Sequence, residues 1–516
     1  MKSGARNRIL FLAAAAFLLT VFLAPAVLAE QKGSVVYATS YPIFYTKGGD
    51  PATHMAGQGP FLATTVFEGL IDCGVDLSDQ PSVAKSWKIA PDWSYIDFEL
   101  FPNIKFHNGD PLTAEDVKFS FETHMRPKLR QVLGFAYRSR IKSIEVQGPY
   151  KVRFNLNMPA PGLMKRFWWN GAIMPKNYRE KVGDDGFADK PIGSGPFRMV
   201  DLKQDQYYKM EAVPDHHRKS AEFKTFEIHY VKEHSTRIAM LKAGEADIIE
   251  LAGPNIPQVK ADPKLKLIQT KHIIGATLAY ADYPFPDEHS PFQDIRVREA
   301  ASLAIDRKTI CEKVLFGAAD PYGEVLSPYT FGYDPSVKPD PYDPERAKAL
   351  LKEAGYPKGF STQICSTAGS KYWIEAVAAN LTDVGIKTEV TIFEGGAWAE
   401  AYRGKRLRGL ITRNSWYDSE RNAGADLQDA YADDAPWAYV TTKEISDTLK
   451  ATMRAINDKE ATEMGRKLSK LILGARINIH LWSTSANYGV NQKIVQWDRQ
   501  LGSYPGTRFE YMKIKQ

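Results

Sequence analysis

The chain has 516 residues, with 67 Lys and Arg against 61 Asp and Glu, and 12% of its residues are aromatic. So small a basic surplus, with no Lys/Arg run, excludes a nucleic-acid stripe, and the length excludes a single ordinary core. Three cysteines without a C-x-x-C exclude a zinc ribbon or a thioredoxin-type motif.

Lys2, Arg6 and Arg8 precede an uncharged apolar run, Ile9 to Leu23, and then Ala24-Pro25-Ala26-Val27-Leu28-Ala29. This is the order of a secretory signal: basic, apolar, then small residues at a cleavage site. Cleavage is expected after Ala29, with Val27 and Ala29 at −3 and −1. No cysteine stands near the cut, so a lipid anchor is not expected. The mature chain is therefore expected in the periplasm. Export permits a disulfide, and Cys311 with Cys365 is the favoured pair among Cys73, Cys311 and Cys365.

Beyond the signal the chain reads as mixed α/β. Thr113 opens TAEDVKFSFE, with Asp116 as a capping-box partner. Ser235 opens a helix through Ile238 and Leu241 that Gly244 stops. Asp306 caps KTICEKVLF, and Gly317 ends it. Asp343-Pro344 starts a helix whose face is Ala347, Leu350, Leu351 and Ala354, closed by Gly355. A last long helix begins at Asp458 and turns Ala461, Met464, Leu468, Leu471 and Ile472 inward.

The segment from Gly359 to Tyr417 is the most informative. Phe360–Cys365, Ile386–Phe393 and Leu407–Thr412 read as strands. Ser370–Asp383 and Ala397–Tyr402 read as the helices between them. Strand-helix-strand alternation implies parallel pairing, and ligands collect outside the carboxyl ends of such strands. Those ends are Ser366-Thr367, Glu394-Gly395 and the run from Arg413 to Asp418.

Local signatures of catalysis are missing. There is no G-x-S-x-G, P-loop or H-E-x-x-H, and no S-x-x-K with its companions. His216-His217 is flanked by Pro214, Asp215, Arg218 and Lys219 and reads as a solvated loop. Asp184-Asp185 and Asp433-Asp434 read as solvated turns. No enzyme activity, metal or cofactor is expected.

Five blocks resemble, in order, those of the family 5 extracellular solute-binding proteins. They are FHNGDPLTAEDVKFSFE (106–122), GSGPF (193–197), RIAMLKAGEADI (237–248), DIRVREAASLAIDRKTICEKVLFGAADPYGEVLSP (294–328) and YDPERAKALLKEAGY (342–356). The Gly193–Pro196 stretch itself reads as a tight backbone turn.

The resemblance implies an α/β fold: a bilobal periplasmic-binding-protein fold with an extra inserted domain. It divides the chain into signal (1–29), domain I (30–75, 194–285 and 485–516), domain II (76–193) and domain III (286–484). The implied function is an ABC-importer receptor. It would act as a monomer, close on a peptide-like solute between domains I and III, and deliver it to a permease.

Peptide-binding members of this family carry Trp-x-x-Asp, often followed by Asp-Pro, and that Asp pairs with the peptide ammonium. Here Trp416-Tyr417-Asp418-Ser419 brings the acid one residue early, and no Asp-Pro follows. Glu420 or Glu394 are the alternative partners. The remaining candidate wall residues are Trp416, Tyr417, Asn414, Trp398 and Tyr488, with Phe44 and Tyr45 behind them. Arg413 is a candidate fork for a ligand carboxylate. Trp168-Trp169 is expected to pack or lie at the surface. Without the ammonium anchor, an oligosaccharide, an opine or a metal chelate is the alternative ligand. A secreted hydrolase is the least favoured reading.

Overall fold

The computed structural model describes residues 33–40, 48–53, 64–74, 78–126, 133–169, 171–283, 290–416, 421–433, 435, 438–497 and 508–515. The signal segment, Phe44, Tyr45, Tyr417, Asp418, Glu420 and Asp434 lie outside the described residues. So do the side chains of Trp169, Asn414 and Trp416.

An eleven-stranded sheet organises the chain. Its order from one edge is 386–393, 360–367, 410–416, 265–280, 478–491, 248–250, 34–39, 225–230, 207–212 and 197–203, and 319–321 pairs with 478–491 off this path. The 360–367 strand pairs parallel with both 386–393 and 410–416, as the alternating pattern predicts.

Two strands much longer than the rest, Leu265–Tyr280 and Asn478–Asn491, run through the middle of this sheet. Leu265 to Thr270 pairs with Asn491 to Ala486, and Ile274 to Ala279 pairs with Thr484 to Asn478. The register shifts between Thr270 and Ile274. A shift of this kind locally disrupts the ladder and bends the strand.

Separate cores lie on either side of that break. One gathers Val35, Tyr37, Phe67, Phe197, Phe226, Val490 and Phe509. Beyond the break, one sheet face buries Leu278, Val297, Leu350, Ile374, Leu381 and Trp482. The other face buries Ala279, Ile411, Leu427, Tyr431, Leu449 and Leu468. A further core forms beneath a four-stranded antiparallel sheet ordered 84–89, 95–100, 151–156, 141–148. There Phe121, on the helix Ala114–His124, meets Phe154, Phe167 and Tyr137 edge-on at 5.0–5.3 Å.

The helix punctuation is largely as expected. Thr113 and Asp116 form their capping box. Asp343 accepts from Arg346 N at 2.9 Å, with Pro344 at the first position. Asp306 accepts from Thr309 N, but its helix is one α turn, Arg307–Thr309, followed by a π turn over Ile310–Val314.

The Gly193–Gly195 turn is tight because other backbone crosses it. A Cβ on Gly193 would stand 2.0 Å from Val66 O, and one on Gly195 would stand 2.3 Å from Thr65 O.

The expected Cys311–Cys365 disulfide does not form, and all three cysteines are buried. Cys311 and Cys365 lie in cores on opposite faces of the sheet, and Cys73 lies in a third core. Burial pushes Cys311 up to about 12 and Cys365 up to about 11, so both behave as inert apolar side chains. No helix among the described residues is long and apolar enough to cross a membrane.

Candidate functional site

The strand at the centre of the expected site runs from Leu410 to Trp416, not from Leu407 to Thr412. Gly409, at φ +75°, delays its start. A side chain there would collide with Gln363 O at 2.5 Å. Pairing with 274–280 then carries the strand through Trp416. Arg413 therefore sits inside the strand rather than in the loop beyond it.

This placement turns Arg413 onto the face shared with Ile411 and Cys365. Its side chain is 8% exposed. The guanidinium carbon lies 4.3 Å from the centroid of the Tyr431 ring. Tyr431 comes from the last turn of the helix Ala423–Tyr431. Asn422 fixes that helix by accepting from Ala425 N at 3.1 Å and donating to Thr452 O at 3.0 Å. Asn478 Nδ2 donates to the Tyr431 hydroxyl. One ring thus joins Arg413 to a residue two strands away.

The pairing Arg413–Thr277–His480 forms one row across the sheet. Along this patch several polar atoms are buried with no hydrogen-bond partner among the described residues. They are both terminal nitrogens of Arg413, Asn478 Oδ1, His480 Nδ1 and Ser483 Oγ. Buried polar groups are nearly always satisfied, so such a concentration among the described residues marks this patch as the candidate site. An unpaired buried guanidinium is the costliest member of the set.

An aromatic series leads to this patch. Phe393 and Trp398 have ring centroids 6.0 Å apart, Trp398 and Tyr402 5.6 Å, and Tyr402 and Tyr439 5.1 Å. Burial pushes the Tyr402 and Tyr431 phenols up, with the charge of Arg413 opposing it. Burial also lowers Lys405, and Arg413 adds to that; its ammonium lies 4.7 Å from the Tyr439 ring centroid.

Arg413 and Trp398 are thus brought together through Tyr402. Glu394 is exposed at the start of the helix Gly395–Arg403 and makes no side-chain cap bond. Asn414 and Trp416 belong to the strand by their backbone. Tyr488 is not brought to this patch. It is 2% exposed in the core on the far side of the register break, near Tyr37 and Trp497. Tyr431, Asn478, Tyr402 and His480 escaped the sequence reading, because only strand pairing and helix docking bring them to Arg413.

His480 has a measurable consequence. Burial, with Arg307 and Arg413 nearby and only Asp340 opposing, lowers it from 6.5 to about 4. The folded protein then binds fewer protons than the unfolded chain between those values. Stability present above 6.5 is lost as the pH falls towards 4. His480 as a whole residue is half-buried, and with that discount we expect a loss of about 2 kcal/mol across that window. His480→Gln should flatten the urea-unfolding profile there and leave neutral-pH stability within about 1 kcal/mol.

The family model for bacterial extracellular solute-binding proteins, family 5 Middle, matches residues 80–433. The heme-binding protein A of Haemophilus influenzae is 30% identical over 393 residues, 70% of each chain. The glutathione-binding protein GsiB of Salmonella typhi is 25% identical over 80% of this chain and 82% of its own. The periplasmic binding protein DppA of Helicobacter pylori, solved with the peptide STSA, superposes with a TM-score of 0.81 at 22% identity. That superposition covers 94% of this chain and 99% of the other and gives the bilobal periplasmic-binding-protein fold. The chain belongs to the bacterial extracellular solute-binding proteins of family 5.

Proposed function

We propose that this chain is the periplasmic receptor of an ABC importer. It captures a peptide or peptide-like solute bearing a carboxylate and hands it to a membrane permease. The observation that carries this reading is Arg413, a buried guanidinium whose two terminal nitrogens lack a partner among the described residues. A carboxylate matches that fork in geometry and in charge. The aromatic series from Phe393 to Tyr439 supplies apolar surface beside it, as solute pockets require.

In this reading the chain divides at 75/76, 193/194, 285/286 and 484/485, with the helix Lys176–Asp189 of domain II packing in the core that domain I also fills. Closure bends the two long strands where their register shifts, between Thr270 and Ile274. The receptor works as a monomer and catalyses nothing. It is exported by a signal cleaved after Ala29 and is not lipid-anchored.

One observation favours a second ligand class. The acid of the Trp416–Asp418 stretch comes one residue early for an ammonium anchor. An opine, which joins a carboxylate to a sugar-like chain, would need Arg413 but no such anchor. A metal chelate or an oligosaccharide fits less of the patch.

The test begins with native mass spectrometry of the purified protein, since a tight ligand survives purification. A melting-shift screen then compares di- to pentapeptides, opines and neutral β-linked oligosaccharides. Peptides or other carboxylates are expected to raise the melting temperature. A response to neutral oligosaccharides alone would refute the carboxylate reading. Product accumulating from a bound ligand would refute the receptor reading.

A further inference from the structure

The His216-His217 pair lies in a loop, and His217 is exposed as a residue, but the two side chains are not simply solvated. Both rings turn inward onto Glu68, whose carboxylate is fully buried. His217 Nε2 lies 3.2 Å from Glu68 Oε1 and His216 Nε2 lies 3.7 Å from Glu68 Oε2. The His216 imidazole is 3% exposed and the His217 imidazole 22%. One ligand atom from each of the three residues falls within 4.8 Å of the others.

Two polar atoms beside this trio are buried and unmatched among the described residues: Glu68 Oε2 and Ser194 Oγ. The Ser194 carbonyl stands 2.9 Å from His216 Nε2. Glu68 is ionised. Burial alone would raise its pKa, but Arg218 and the two histidines hold it well below the usual carboxylate range.

Arg218 meets Glu68 Oε1 at 2.6 Å, Asp72 at 2.9 Å and Glu510 at 3.3 Å, and Arg508 pairs with Asp72. Three carboxyl groups thus gather around two guanidiniums, and Glu68 Oε2 is left without a hydrogen-bond partner among the described residues.

We propose that Glu68, His216 and His217 form a binding site for one divalent transition-metal ion of the zinc class, separate from the Arg413 patch. Two imidazoles and a carboxylate suit zinc, cobalt or nickel rather than magnesium or calcium. Bonds of about 2.1 Å in tetrahedral geometry put neighbouring ligand atoms about 3.4 Å apart; His216 Nε2 stands 3.7 Å from Glu68 Oε2, while His217 Nε2 stands 3.2 Å from Oε1 and must swing towards Oε2 to share an ion with it. Glu68 Oε2 is the free ligand atom. Arg218 on Oε1 then serves as the outer hydrogen bond that ligating carboxylates normally take. The Ser194 carbonyl is placed to be a fourth ligand. Ligation through His216 Nε2 puts the ring proton on Nδ1, where the 3.4 Å contact from Arg218 N must open.

The ligands come from three separate stretches: the segment before the strand Ile71–Cys73, the Gly193–Gly195 turn, and the loop between Tyr207–Ala212 and Thr225–Tyr230. Arg218 extends the contact to Glu510 near the C-terminus. A bound ion would clamp these stretches together and raise thermal stability.

The test uses the full exported chain, stripped with chelator and titrated with Zn²⁺ by calorimetry and with Co²⁺ by visible absorption. One equivalent should bind, with a tetrahedral cobalt spectrum and a raised melting temperature. His217→Gln, at the most exposed ligand, should weaken Zn²⁺ binding about 100-fold, and Glu68→Gln should do the same. His229→Gln, at a histidine paired with Glu227 outside the cluster, should change nothing. Three results would overturn the proposal. One is no stoichiometric uptake by the parent protein. Another is uptake unchanged in His217→Gln, which would move the metal to another site. The last is a pH-dependent melting step, lost in His217→Gln, without any metal uptake; that would make the cluster a proton site only.

Discussion

Replacing Arg413 with methionine is expected to cut ligand affinity about 150-fold while leaving the empty protein at least as stable as its parent. The two effects have opposite signs for one reason. In the empty protein the guanidinium is buried over Tyr431 with its terminal nitrogens unmatched among the described residues. Holding it there costs free energy, and methionine fills similar volume without a charge to desolvate. In the complex the same fork meets a carboxylate. Removing one partner of a buried charged pair costs 2–5 kcal/mol, and a central value of about 3 kcal/mol gives the stated factor. Arg413→Lys keeps the charge but loses the planar fork, so it should recover part of the affinity and none of the stability. Thermal melting with and without the co-purified ligand reads both signs at once. A variant that melts lower and binds normally would make Arg413 a structural residue.

The parallel unit around this arginine was legible because its cues are local. Ile386–Phe393 is rich in β-branched residues, Ile374, Val377 and Leu381 recur at helical spacing, and Gly385 stops the helix. The end of the last strand was misplaced because its cause is remote. Gly409 crosses Gln363 O, and the strand then runs on against 274–280. Arg413 could be suspected from its place near a strand end. Its partners could not, since Asn478 reaches Tyr431 only after two strands and a helix have docked. The contact of the histidine pair with Glu68 escaped in the same way. Pro214, Asp215 and Lys219 do look solvated, but the residue that draws the rings inward is Glu68, far away in the chain.

Arg179→Ala is expected to cost 3–5 kcal/mol in urea unfolding. Arg179 is 2% exposed and Asp50 1%. Nη1 and Nη2 of Arg179 each donate to a different oxygen of Asp50 at 2.7 Å. Arg179 also meets Asp184, just past the kink at Gly183, and lies 4.7 Å from the Phe187 ring centroid. Truncating the arginine leaves a buried carboxylate with no cation, and that stranded charge dominates the loss. Asp50→Asn should cost less, since Arg179 keeps Asp184 at 2.8 Å as a second carboxylate. The double variant, Asp50→Asn with Arg179→Met, strands neither and should be no less stable than the worse single variant. The sum of the single losses would instead be expected if the two groups acted independently. The pair ties residues 48–53 to the helix Lys176–Asp189, whose Phe187 packs with Phe67 at 6.2 Å in the core beneath Ser34–Thr39. It therefore seats that helix on the long sheet rather than on the four-stranded one. If closure bends the sheet only between Thr270 and Ile274, this seam stays shut. Arg179→Ala should then lower the melting temperature of the empty and the liganded protein equally, leaving the ligand-induced shift unchanged.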